Sequence, residues 1–131
     1  MKITAIETIK VSPYENLLWV NVVTDEGIIG LGEASKARDT VASYIHEWCA
    51  PRLIGTDPLR IPERRRSLEG YLGWGSTSVE TRAISAIDIA LWDLFGKVHG
   101  KPVADMLGGR ARDSIRTYNT CAGSGYMRRA V

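Results

Sequence analysis

A long helix-forming segment at residues 79–98 constrains the fold more than any other part of the chain. Apolar residues recur along it at intervals of three and four, which is the spacing of one face of an α-helix. Gly100 and Pro102 follow the segment, and both residue types commonly mark the end of a helix. The residues of this apolar stripe are Val79, Ala83, Ile84, Ile87, Ala90, Leu91, Leu94 and Val98.

The opposite side of the same helix is also partly apolar. At about 3.6 residues per turn, a second set of residues faces away from the first stripe. Its members are Ser85, Ile89, Trp92 and Gly96. A helix that packs on one sheet needs a single apolar stripe. The second side therefore predicts that the helix is also buried against another body.

Three segments ahead of this helix have the pattern of β-strands. Residues 3–11 alternate between apolar and polar side chains, and residues 17–24 are rich in β-branched and aromatic residues. A third strand is predicted over 28–35, after a turn in which Gly27 can take the left-handed conformation of a tight hairpin loop. The order predicts an antiparallel, three-stranded meander. The alternation of the first strand places Ile3, Ala5, Ile9 and Val11 on one face.

Gly30 and Gly32 lie on the same face of the third predicted strand. Glycine inside a strand often marks a place where another backbone approaches closely. We therefore expect a helix to pack on this face. The pair is not a dinucleotide-binding fingerprint, because the third glycine and the helix that should follow are missing.

Shorter helices are predicted between the sheet and the long helix. Asp39 is a plausible cap for the first of them, and Pro51 ends or kinks it. A second begins near Pro58 or Pro62 and runs to about Tyr71, since proline suits a first helical position. With the strands, these helices predict an α+β fold in which a meander is followed by a helical bundle.

The last part of the chain has a different organisation. Residues 103–107 are predicted to form a short helical turn, and a new strand follows at roughly 114–122, before the start of another helix. A strand joined to a helix is half of a β/α unit, which needs a parallel neighbouring strand. The sequence offers no such neighbour. We therefore expect one domain over 1–110 and the beginning of a second domain over 111–131.

Composition argues against several classes of protein. A net charge of +2, without a basic strip interleaved with aromatic residues, argues against nucleic-acid binding. The run at 64–66 (Arg-Arg-Arg) is typical of a solvated helix face. No apolar run approaches the roughly 18 residues of a membrane span, and no signal peptide is expected. Cys49 and Cys121 fit neither a disulfide framework nor a zinc site, so the expectation is a cytoplasmic protein.

Five stretches of the chain together carry a family resemblance. They are KITAIET at 2–8, VVTDEGIIGLGEA at 22–34, AISAIDIALWDLFGKVHGKPV at 83–103, LGG at 107–109 and IRTYNT at 115–120. In this order they resemble the enolase superfamily, in its mandelate racemase and muconate lactonizing enzyme branch. The resemblance covers the chain from residue 2 to about residue 123.

The resemblance implies an enolase-type capping domain followed by a TIM-like (β/α) barrel, of which this chain would hold the first strand. In the family, three carboxylates of the barrel bind Mg²⁺, and the shared step removes the proton α to a substrate carboxylate. Likeness to acid-sugar dehydratases such as galactonate dehydratases favours loss of water from a sugar acid. A racemase, a cycloisomerase or a non-catalytic fragment remains an alternative.

The resemblance also indicates where the chain would contact a substrate and partners. In the family, two loops of the cap fold over the mouth of the barrel, and they correspond here to residues 12–18 and 71–77. The candidate substrate-binding residues are Tyr14 and Asn16 in the first loop, Tyr71, Trp74 and Ser76 in the second, and Asn119 on the first barrel strand. The expected partners are a barrel, in the same or a separate chain, and further copies in a homo-oligomer.

The lysine motif and the metal ligands of the family have no counterpart in these residues. No catalytic or metal-binding residue is therefore expected within the chain, and the 131-residue chain alone is predicted to be inactive.

Overall fold

The computed structural model describes residues 1–12, 14–69 and 78–118. The strands are β1 (Ile3–Lys10), β2 (Leu17–Thr24) and β3 (Ile29–Ser35). The helices are α1 (Arg38–Tyr44), α2 (Ala50–Leu53), α3 (Ile61–Leu68), α4 (Val79–His99) and α5 (Val103–Met106), with a π-helical segment (Ile45–Cys49) between α1 and α2. This order confirms the predicted α+β fold, a meander followed by helices.

The sheet is antiparallel, with the strands in the order β1-β2-β3. Its buried face centres on β2, where Leu18, Val20 and Val22 are inaccessible to solvent. The residues opposite them on β3 are Ala34, Gly32 and Gly30, in that order. The helices cover this face, and the core lies between them and the sheet.

A β-bulge in β1 corrects the predicted facing of that strand. Between Ile3 and Ala5 the strand advances by two residues, while its partner on β2 advances by one. The extra residue reverses the alternation from this point onward. Ile6 therefore turns toward the core, whereas Ile9, which was expected beside Ile3, is 41% exposed.

The long helix α4 packs on β3 with almost no space between the two backbones. A Cβ atom built on Gly32 would lie 1.9 Å from the carbonyl oxygen of Ala86, and one on Gly30 would lie 2.0 Å from that of Ala90. Only glycine permits such an approach, which confirms the prediction of a helix packed on this face. The predicted apolar stripe is confirmed as well, because Ala83, Ile87, Ala90, Leu91 and Leu94 are all buried.

Charged side chains of α4 also reach the free edge of β3. Asp93 Oδ2 accepts a hydrogen bond from the backbone N–H of Leu31 at 2.8 Å. Lys97 Nζ donates to the carbonyl oxygen of Ile29 at 2.7 Å, and it forms an ion pair with Asp93 at the same distance. Backbone groups on an edge strand are otherwise free to pair with another strand. This part of the β3 edge is therefore covered by the helix.

The helical run that follows β3 differs from the prediction at its start. α1 begins after Ala37, so Asp39 is not the cap but lies in the first turn, where a negative charge interacts favourably with the helix dipole. Of the two effects predicted for Pro51, an end or a kink, the end is wrong, because helical structure continues to Leu53. The wider turns of the π-helical segment lie directly before this proline, and such irregular turns are a recognised cause of helix kinks.

One member of the arginine run is buried, contrary to the prediction. Arg65 and Arg66 are exposed on α3, but Arg64 is only 8% exposed. Its guanidinium donates to the Glu63 carboxylate, and its Nε has no hydrogen-bond partner among the described residues. Charged residues are rarely buried, so the spacing of charges alone could not identify this position.

The described chain beyond α5 is exposed at every residue. Ile115 is 71% exposed and Tyr118 is 87% exposed. The described part of the predicted last strand, 114–118, is not in a strand, and residues 119–122 of that prediction lie outside the described residues. A single strand has no hydrogen-bonding partners of its own, which agrees with the expectation that this segment needs a parallel neighbour.

We expect Gly32→Ala to lower the free energy of unfolding by about 3 kcal/mol, because the new methyl group would overlap the Ala86 carbonyl and force α4 away from β3. Urea denaturation of the two proteins measures the difference. Ser35→Ala, an exposed position on the same strand, is the control and should change stability by less than about 0.5 kcal/mol. Equal stability of Gly32→Ala and the parent would contradict the close contact.

We expect the Cys49 thiol to be unreactive in the folded chain. Burial raises its pKa from 9.0 to about 12, which leaves about a thousandfold less of the nucleophilic thiolate than an ordinary thiol has. In a Cys121→Ser variant, a disulfide reagent near pH 8 should label Cys49 only after guanidinium chloride is added. Rapid labelling without denaturant would show that this part of the core is open to solvent.

Candidate functional site

One end of the sheet carries the described part of the first predicted loop, the β3–α1 connection and the start of α4. We call this end the rim and define it as residues 11–12, 14–16, 33–40 and 78–85. Leu17 pairs with Ser35 there, and the backbone N–H of Lys36 donates to the carbonyl oxygen of Asn16 at 2.9 Å. Arg82 Nη1 donates to the carbonyl oxygen of Ser35 at 2.8 Å, which joins the start of α4 to the end of β3.

Both candidate residues of the first loop lie in the rim. Tyr14 is 52% exposed, and its carbonyl oxygen accepts a hydrogen bond from the backbone N–H of Leu17 at 3.1 Å. Asn16 is exposed, and its backbone is held by Lys36. The exposed ring of Tyr14 is therefore carried on a short turn with its own hydrogen bond.

The remaining candidate residues, Tyr71, Trp74, Ser76 and Asn119, lie outside the described residues. Ser78, which directly follows the second predicted loop, does lie in the rim and shares a cleft with Ser35. Ser78 therefore lies at the same end of the sheet as the described residues of the first loop.

Two open clefts indent the rim. The first has a volume of about 460 Å³ and contains the Glu15 and Asp39 carboxylates, the Arg38 side chain and Asn16. The second, of about 350 Å³, lies between the end of β3 and the start of α4. The polar residues that line it are Glu33, Ser35, Ser78, Thr81, Arg82 and Ser85. Such groups can exchange hydrogen bonds with a polar, hydroxyl-rich ligand.

The rim also holds the non-glycine residues of the described chain that have positive φ angles. They are Lys36 (65°), Ala37 (49°) and Ser78 (78°). The left-handed region costs a residue with a Cβ atom roughly 1–2 kcal/mol. Strained residues of this kind cluster at functional sites, where the surrounding structure holds them in place. The sequence did not reveal these positions, because none of them is glycine or asparagine, two residues that often adopt positive φ angles.

An exposed ion pair lies at the base of the first loop. Lys10 Nζ is 2.6 Å from Asp39 Oδ1, with the two side chains 56% and 72% exposed. The hydrogen bond and the positive charge of Lys10 lower the pKa of the Asp39 carboxyl below its usual value. The sequence pattern predicted Asp39 as a helix cap and gave no sign of its contact with Lys10 beside this loop.

The described residues contain no cluster of three or more His, Cys, Asp or Glu side chains that could hold a metal ion. Asp88 on α4 is half-buried, and it makes no hydrogen bond or ion pair with another described residue. In the same parts of the chain, every helix is too short or too polar to cross a membrane.

The family model and the similar sequences identify the same family. The family model of the N-terminal domain of mandelate racemase and muconate lactonizing enzyme matches residues 3–108. A D-mannonate dehydratase from Novosphingobium aromaticivorans is 40% identical over 126 residues, which are 95% of this chain and 31% of that protein. A D-galactonate dehydratase family member from Streptomyces bingchenggensis is 39% identical over 92% of this chain and 30% of its own length.

Solved structures agree with the sequence comparison. An enolase of the mandelate racemase subgroup from Agrobacterium tumefaciens has a TM-score of 0.86 and 55% identity, over 90% of this chain and 33% of that one. An enolase from Pantoea ananatis, with bound D-gluconate and Mg, has a TM-score of 0.78 and 41% identity, over 86% of this chain and 28% of its own.

The chain thus spans about a third of the length of the relatives it matches. Within that third, the family match, the sequence identity and the fold coincide. The chain belongs to the family of N-terminal domains of mandelate racemase and muconate lactonizing enzyme, within the enolase superfamily.

Proposed function

We propose that this chain is the capping domain of a Mg²⁺-dependent dehydratase that acts on a sugar acid. The observation that supports this most strongly is 40% identity to a D-mannonate dehydratase over 95% of the chain. The activity would belong to the chain together with a barrel domain, in the same or a separate polypeptide. The domain limits of 1–110 and 111–131, a homo-oligomer and a cytoplasmic location are part of the same proposal.

The proposed role of the chain is to bind and enclose the part of the substrate that is distant from the reacting carbon. Tyr14 is exposed at the rim, on a turn that is held by its own hydrogen bond. An aromatic ring on such a loop displaces water when the loop closes over a bound ligand. Tyr71, Trp74, Ser76 and Asn119 are proposed to contribute to the same surface.

The described residues do not fit a magnesium site, because they contain no cluster of candidate ligands. The metal ligands and the acid–base groups of the proposed enzyme would therefore lie among other residues. In the overall reaction, the proton α to the carboxylate is removed and the β-hydroxyl leaves as water. The resulting enol tautomerises to a 2-oxo-3-deoxy acid, so no oxidant or reductant is needed.

Dehydration is preferred over racemisation because of the relatives. The two closely similar proteins described above are dehydratases of sugar acids or members of such a family. A racemase or cycloisomerase can have the same capping fold, since one fold supports several reactions. The product distinguishes these reactions, because only dehydration yields a 2-oxo acid.

We expect the isolated chain to show no Mg²⁺-dependent turnover of any sugar acid. A hybrid in which the chain replaces its matching segment in the D-mannonate dehydratase of Novosphingobium aromaticivorans should form a 2-oxo acid. Semicarbazide detects the product, and EDTA should abolish its formation. Turnover by the chain alone would contradict the proposed division of roles. A folded hybrid that inverts a stereocentre without forming a 2-oxo acid would favour a racemase, and a folded but inactive hybrid would contradict the proposal.

We expect Tyr14→Ala in this hybrid to raise KM about tenfold, which corresponds to about 1.4 kcal/mol of lost binding. Its free energy of unfolding should change by less than about 0.5 kcal/mol, because half of the side chain is already exposed. Ile29→Ala is the control, since Ile29 is 41% exposed at the other end of the sheet, and it should leave KM unchanged. A destabilised Tyr14→Ala variant with normal kinetics would show that the ring serves the fold.

A further inference from the structure

The first loop of the rim is connected at both of its ends to one short turn. At the start of the loop, Lys10 forms its ion pair of 2.6 Å with Asp39. At the end of the loop, the carbonyl oxygen of Asn16 accepts from the backbone N–H of Lys36 at 2.9 Å. Residues 36–39 therefore contact the chain on both sides of Tyr14.

This turn has a conformation that its own residues do not favour. Lys36 and Ala37 are consecutive and both left-handed, with φ angles of 65° and 49°. Neither is glycine, so the conformation persists only because the structure around it holds it there. It orients the N–H of Lys36 toward the loop and places Asp39 in the first turn of α1, within reach of Lys10.

The ion pair contributes little to the stability of the fold. Both side chains are more than half exposed, and exposed pairs of this kind typically contribute about 0–1 kcal/mol. Arg38 is a weaker second partner of Asp39, with 3.9 Å between Nε and Oδ1. A contact that is weak for stability but located at the base of a loop can still determine where the loop lies.

We propose that Lys10 and Asp39 are positioning residues, which together with the left-handed turn at 36–37 hold residues 11–12 and 14–16 and so place the Tyr14 ring. The pair would act through the loop and would not contact the substrate. The effect on the loop stands independently of the proposed function, whereas the effect on substrate binding rests on it.

The loop can be tested in the isolated chain by amide hydrogen exchange. Lys10→Met removes the ion pair and leaves the Arg38 contact of Asp39 in place. The N–H groups of Leu17 and Lys36, which donate the hydrogen bonds of the loop, should then exchange about fivefold faster. The exchanged-charge variant Lys10→Asp/Asp39→Lys should restore slow exchange. The melting temperature should shift by less than about 3 °C.

Arg60→Met is the matched control. It breaks the exposed pair with Glu63 on α3, where the two atoms are 3.2 Å apart. It should leave the exchange of Leu17 and Lys36 unchanged. Unchanged exchange in Lys10→Met, equal acceleration in Arg60→Met, or failure of the exchanged-charge variant to restore protection would overturn the positioning role.

The consequence for substrate binding can be tested in the hybrid enzyme. Lys10→Met should raise KM about threefold to tenfold with a smaller change in kcat, because a displaced loop loses binding contacts. The exchanged-charge variant should restore KM. Normal KM in a variant with a loosened loop would overturn the role in substrate binding and leave the proposed function intact. An inactive parent hybrid would contradict the proposed function and leave the exchange result standing.

Discussion

Two glycines allow the backbone of α4 to approach the backbone of β3 more closely than any side chain would permit. At Gly30 and Gly32, even a methyl group would lie about 2 Å from a carbonyl oxygen of the helix. Because protein interiors are closely packed, the spacing between the backbones of α4 and β3 also determines how the larger side chains of the core fit. Ile87, Leu91 and Leu94 of α4 and Val20 and Val22 of β2 are buried in the same hydrophobic core.

The same approach brings charged side chains of α4 to the edge of β3. Asp93 and Lys97 bond to backbone groups of Leu31 and Ile29, while Arg82 bonds to Ser35 at the other end of the strand. These bonds satisfy groups that an additional strand would otherwise use. The exposed segment 114–118 therefore finds its pairing sites on β3 occupied.

Sequence patterns predicted the parts of the fold that depend on burial. The apolar stripe of α4 and the small residues at 30 and 32 were informative because burial repeats with the period of the helix or the strand. The bulge near Ala5 was not predictable, since one extra residue reverses the strand without changing its composition. Arg64 was predicted to be exposed, because its place in a run of three arginines did not indicate that its side chain is buried.

The rim is the part of the fold that the sequence predicted least well, for a related reason. Its shape depends on single hydrogen bonds and on the left-handed backbone of Lys36 and Ala37, and neither feature has a period or a residue preference that reveals it. Residues such as Tyr14 and Asn16 are exposed, so the core places few limits on their identity. The exposed side chains of the rim can therefore change without disturbing the packing of α4 on β3. Under the proposed function, differences in ligand choice among relatives with this fold lie at these exposed positions.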